Sequence, residues 1–164
     1  MVRLIIDADA AIKLYRSGIL AVVVGAFHCE IPEAVYNEVV TQGKRRLYQD
    51  AEAIESIIAG KVTIVATSGT IKSEMGLGAG ESGILEVLQE KPELIVVSDG
   101  RRFLTVLLKM KAGFITQADA LVLLAGRNII TGSEAGKALE RLRPLIRSAA
   151  YYEARDYLEH RGEL

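Results

Sequence analysis

Leu4-Ile5-Ile6-Asp7-Ala8-Asp9-Ala10-Ala11-Ile12 joins an aliphatic run to two closely spaced carboxylates. An apolar run entering a Gly-free turn with two carboxylates reads as a first β-strand that delivers Asp7 and Asp9 to the end of a sheet, where a helix begins. Open α/β folds keep their chemistry at that edge. Structural roles compete for both acids: Asp9 as a helix N-cap, Asp7 as an acceptor for nearby backbone N–H groups.

Leu94-Ile95-Val96-Val97 has the continuous aliphatic character of a parallel strand covered on both faces, and it too ends in an acid, Ser98-Asp99-Gly100. Further strands are expected over 27–31, 62–66 and 113–115. Helices are expected over 10–15, 19–27, 48–59, 101–110 and 120–127, with one more carrying Pro32 in its first turn and another opened by Glu81. In the 101–110 helix the inward residues are Phe103, Val106, Leu107 and Met110. Two closing helices are expected over 133–147 and 149–160, with Ser133 as the N-cap and Glu134 in the first turn. This alternation predicts a three-layer α/β/α domain with a central parallel sheet and a helical C-terminal extension. The ends of the first and fourth strands can then be neighbours, bringing Asp7 and Asp99 together.

Composition sets bounds on function. A chain of 164 residues, half of them apolar, can bury one substantial core, so 1–164 is expected to be a single domain with helices from about 133 packed on it. Lys and Arg number 20 against 21 acids, so a net charge of −1 gives no global attraction to nucleic acid or membrane, and any polyanion site must be local. The single cysteine, Cys29, excludes an internal disulfide and a thiolate-rich metal cluster, and reads as a core residue in a reducing compartment. His28 and His160 lack ligand spacing, which argues against a histidine zinc site or Ser/His catalysis. No targeting segment or membrane-length apolar stretch is seen, so a soluble, cytoplasmic protein is expected.

Two more acids occupy places that ask for a reason. Glu38 shares a helix face with Val35 and Val39, where the structural alternative is a buried ion pair with a Lys or Arg. Glu81 heads the stripe Ile84, Leu85 and Leu88, although the helix dipole favours a first-turn Glu whatever its function. Gly43-Lys44-Arg45-Arg46 reads as a solvated basic loop, and 68–80 as an irregular connection whose glycines match neither a phosphate loop nor a dinucleotide motif. Arg101 and Arg102, beside Asp99, can meet phosphates or belong to plain surface; Asp119 reads as a first-turn acid. A cluster of Asp and Glu without His or Cys is a hard oxygen site, suited to magnesium or manganese and to phosphoryl transfer.

Leu-Ile-Ile-Asp7-Ala-Asp9-Ala, then Ile31-Pro32-Glu33-Ala34-Val35-Tyr36-Asn37-Glu38-Val39, then Gly78-Ala79-Gly80-Glu81 and Val97-Ser98-Asp99 together resemble a PIN (PilT N-terminus) domain. The similarity spans nearly the whole chain and is closest in spacing to the branch of VapC-like toxin ribonucleases. It implies a Mg2+- or Mn2+-dependent endoribonuclease acting on single-stranded RNA. Asp7, Glu38, Glu81 and Asp99 would form the catalytic, metal-binding quartet, with Asp9 near the metal. A homodimer and a small antitoxin partner are also implied. Many relatives carry a second acid where Gly100 stands, so a weakened fourth ligand, or a catalytically silent PIN module that binds RNA or protein, also fits, with Asp119 as a candidate compensating acid. A haloacid-dehalogenase-like phosphatase using Asp7 and Asp9 is the other enzyme reading, but residues 100–104 supply no late acid for it and Glu38 has no role in it.

Overall fold

Asp7 ends the first strand, β1 (Arg3–Ile6), and starts the first helix, α1 (Ala8–Arg16). Its backbone is extended and its carboxylate accepts the Ala10 N–H at 2.6 Å, so Asp7, rather than Asp9, is the N-cap. The structure, a computed structural model, describes residues 1–46, 48–71 and 76–162. Residues 72–75 of the expected irregular connection lie outside the described residues.

After α2 (Leu20–Ala26) comes β2 (His28–Pro32), in which Pro32 is the last strand residue and the N-cap of α3 (Glu33–Tyr36) rather than a first-turn residue. Its ψ of 151° is extended, so the ring ends the strand one position before the helix. From α3 the chain runs without a break into a π-helix (Asn37–Gln42) and then α4 (Gly43–Arg45). The basic stretch at 43–46 is therefore mostly helical, not a loop. Gly43 permits this, because a Cβ there would stand 2.9 Å from that of Ala51 on α5 (Gln49–Ile58).

The remaining elements are β3 (Val62–Val65), α6 (Ala79–Glu90), β4 (Ile95–Val97), α7 (Arg101–Lys109), β5 (Phe114–Ile115), α8 (Gln117–Gly126), α9 (Gly132–Leu142) and α10 (Ser148–His160). Five parallel strands form one sheet in the order β3-β2-β1-β4-β5. The chain builds from β1 towards β3, then crosses back to β4. With right-handed crossovers this reversal puts the helices after β1 and β2 on one face and α6 and α7 on the other, giving three layers. The reversal lies between β1 and β4, the topological switch point of the sheet.

Leu4, Ile5, Val96 and Val97 are fully covered in the central strands, and Leu14, Ile84, Phe103 and Leu121 are equally buried on helices packed against the core. Each such side chain contributes roughly 1.5–3 kcal/mol of hydrophobic stabilisation. The C-terminal helices join this core through Leu139, Leu142, Tyr151 and Leu158. Cys29 is buried, and burial pushes its thiol up to about 12, which keeps it an inert core residue.

Two expected details are corrected. Met110 is 46% exposed because α7 ends at Lys109, and Leu104 takes its place on the inward face. Thr131, not Ser133, caps α9: its hydroxyl accepts the Glu134 N–H at 3.2 Å while the Glu134 carboxylate accepts the Thr131 N–H at 2.7 Å. A buried acid that the sequence pattern did not single out is Glu30 on β2. Burial raises its carboxyl pKa, but hydrogen bonds and charge from Lys91 and Arg3 outweigh that and hold it below the usual range. No helix among the described residues is long and apolar enough to cross a membrane.

Candidate functional site

Because β1 and β4 pair with Ile6 opposite Val97, Asp7 and Ser98-Asp99 leave the sheet side by side. The Asp7 N–H donates to the Val97 carbonyl at 3.2 Å. Only 6% of Asp7 is exposed, and burial pushes its carboxyl up to about 7. Hydrogen bonds from Ser98 and from the Ala10 N–H oppose that rise, while the negative charges of Asp9 and Asp99 add to it. Ser98 is fully buried: its hydroxyl donates to Asp7, and its oxygen accepts the Gly100 N–H at 3.3 Å.

Lys13 supplies the countercharge. Its Nζ lies 2.6 Å from Asp9 Oδ2 and 3.0 Å from each carboxylate oxygen of Asp99. Burial lowers the ammonium pKa, but the hydrogen bonds to Asp9 and Asp99 more than reverse this, so it stays charged. Asp99 is held from its other side by Gln117, whose Nε2 donates at 3.3 Å. Gln117 is fully buried, yet its Oε1 has no donor among the described residues. Replacing Lys13 with Met keeps the stem and removes the charge, leaving three acids together without a cation. The variant is expected to lose about 1–3 kcal/mol of stability in chelator. A melting curve identical to wild type would show that the ammonium does not hold this group together.

The glutamates are placed differently. Glu38 sits in the first turn of the π-helix and its Oε1 accepts the Gly80 N–H at 2.9 Å, so the first turn of α6, not a Lys or Arg, is its partner. Gly80 makes that approach possible: a Cβ there would meet Glu38 Oε1 and Val35 Cγ2, each at 3.1 Å. Glu81 accepts the Gly78 N–H at 3.0 Å, closing the start of α6. Its Oε1 also faces Gly100, 3.6 Å from where a Cβ would stand. Asp9 and Asp99 thus meet on Lys13, with Asp7 near enough to feel both of their charges, while Glu38 and Glu81 rest on the amino end of α6, which approaches this group at Gly100. Among the described residues, no three acidic, histidine or cysteine side chains surround one point closely enough to cage a metal ion.

Asp119 is not drawn into this group. Its Oδ2 accepts the N–H and the hydroxyl of Thr116, both at 2.8 Å, as the second half of a capping box on α8. Arg101 and Arg102 are exposed on the first turn of α7, and Arg102 donates to the Gly76 carbonyl at 3.0 Å. Beside Asp9 and Glu38 opens a cleft of about 610 Å3 that is also lined by Asn37, Gln42 and Arg46.

The sequence matches the family model of a PIN domain over residues 3–158. This chain belongs to the PIN domain family. PIN domains are generally nucleases, a class of hydrolase, and typically use divalent metals such as Mg2+. No curated protein matches the chain. The family match displaces the haloacid-dehalogenase reading of Asp7 and Asp9. The residues of this PIN domain fit a hard dication in their chemistry. The candidate donors are all carboxylates, a cationic group already sits between Asp9 and Asp99, and the buried Gln117 Oε1 beside them lacks the donor that an ordered water would provide.

Proposed function

We propose that this PIN domain is a metal-dependent endoribonuclease that hydrolyses phosphodiester bonds of single-stranded RNA, the VapC-like toxin of a toxin–antitoxin pair. Asp7, Glu38, Glu81 and Asp99 are its catalytic acids, with Asp9 beside them. The observation that carries the reading is the meeting of Asp7 and Asp99 at the switch point of the sheet, where burial and the neighbouring acids raise the Asp7 carboxyl and Asp99 is paired with the Lys13 ammonium.

Magnesium or manganese, when bound, lowers the pKa of the attacking water and neutralises charge building on the phosphate. The chain's own residues hold and orient. Ser98 and the Ala10 N–H fix one rotamer of Asp7, and Gln117 fixes Asp99, so the acids that hold the ion are ordered before substrate arrives. The first turn of α6 orients Glu38 and Glu81. Glu81 Oε1 lies 3.6 Å from where a Cβ at Gly100 would stand, beside the position where the resemblance implies a second acid. Lys13 keeps a positive charge at the group throughout, and the exposed Arg101 and Arg102 flank Asp99 where an RNA backbone would pass. A homodimer, a small antitoxin protein as partner and a cytoplasmic location belong to the same reading.

Purified protein incubated with labelled single-stranded RNA, and in parallel with a phosphomonoester, each with magnesium, manganese or chelator, tests this proposal. RNA cleavage that needs the metal, with no phosphate released from the monoester, is expected. Phosphate release would return the site to a phosphatase, and RNA binding without cleavage would make this a silent module, with Gly100 as the reason.

A further inference from the structure

The helical stretch that carries Glu38 bears a second row of side chains that neither the core nor the acid group employs. The π-helix widens this stretch by bonding i to i+5 and leads directly into α4, and along it Asn37, Gln42 and Arg46 line the same cleft as Glu38 and Asp9. All three are exposed. Asn37 engages only its carboxamide oxygen, which accepts the Thr41 hydroxyl at 3.3 Å, and the side chains of Gln42 and Arg46 have no partner among the described residues. Ile12 and Val39 give the same cleft an apolar lining.

Apolar surface suits the face of a nucleobase, carboxamides pair a donor with an acceptor as base edges do, and a guanidinium takes a phosphate through two hydrogen bonds. With a net charge of −1 and several carboxylates at the site, the chain needs a local cation to draw a polyanion there. We propose that this cleft is the subsite for one unstacked nucleotide next to the scissile phosphate, with Arg46 holding the neighbouring phosphate and Asn37 and Gln42 reading the base edge. The proposal rests on the ribonuclease reading. It also gives that reading a physical basis for single-strand selectivity, since paired bases keep the edges that Asn37 and Gln42 would read turned inward.

The test is binding of short fluorescein-labelled single-stranded RNAs of differing base composition, in chelator and across a salt series, to wild type, Arg46→Ala and the double variant Asn37→Ala/Gln42→Ala. Cleavage in magnesium is followed alongside. Arg46→Ala is expected to weaken binding about ten-fold at low salt and to lower the salt slope by about 0.7, the value of one lost phosphate contact on a single strand. The double variant is expected to keep the slope and to bind RNAs of different composition more nearly alike. If wild type binds RNA in an Arg46-dependent way but does not cleave it, the subsite stands and the ribonuclease reading fails. If wild type cleaves and all variants bind with unchanged affinity, slope and base preference, the subsite is overturned and the ribonuclease reading stands. A wild type that binds no single-stranded RNA overturns both.

Discussion

Asp7→Asn is expected to lose RNA cleavage by about three orders of magnitude or more in turnover, roughly 4 kcal/mol of transition-state stabilisation, while melting no lower than wild type in chelator. The two halves of this expectation have one cause. Asn keeps an acceptor for the Ala10 N–H, so the cap of α1 survives. What disappears is a carboxylate that burial and two neighbouring acids already make costly to ionise. A charge whose presence opposes folding but which cleavage needs is the signature of a site built for a cation. Single-turnover cleavage and thermal melts of the variant check both halves; full activity would remove Asp7 from the chemistry, and a large drop in melting temperature would make it a structural cap.

The metal-free wild type is also expected to lose up to about 4 kcal/mol of stability as pH rises from 4 to 7. The Asp7 carboxyl titrates near 7 in the folded protein against an ordinary 3.8. Between those values the folded state binds a proton that the unfolded chain has released, so stability is full below the lower value and is lost as pH passes the upper one. Glu30, held below the usual range, acts in the opposite sense at lower pH. The informative quantity is therefore the difference between wild type and Asp7→Asn, measured as melting temperature in chelator across that range. A difference that does not vary with pH would mean the Asp7 carboxyl is not raised.

Much of the fold was legible because its signals are local. Leu94 to Val97 reads as a covered parallel strand from its aliphatic run alone, and the strand–helix alternation places Asp7 and Asp99 at adjacent strand ends before any contact is known. What was hidden depends on distant partners. Lys13 looks like one half of an ordinary i,i+4 pair with Asp9; its bond to Asp99, 86 residues on, exists only in the folded sheet. Ser98 and Gln117 are polar residues at element ends, where caps are common, and only burial reveals that they hold Asp7 and Asp99. The π-helix leaves no trace in the apolar spacing of Val35, Val39 and Val40, all buried, but it decides which polar residues reach the cleft. Glu30 was missed because a single acid inside a short strand carries no periodicity, and its partners Arg3 and Lys91 are far away in sequence.

The strand order has a consequence for the protein as it is made. β1 sits between β2 and β4, so it finds one of its two neighbours only after residue 97 has been added. Asp99, Gln117 and the strand that carries Asp99 beside Asp7 are made more than 80 residues after Asp7 and Lys13. A truncated product ending before β4 carries Asp7, Asp9, Glu38 and Glu81 but not the juxtaposition of Asp7 with Asp99. Long-range parallel pairing is slow and comes late in folding. The acid group therefore closes only after β4 and Gln117 have been added, so its geometry is a property of the whole sheet and not of the segment that carries Asp7.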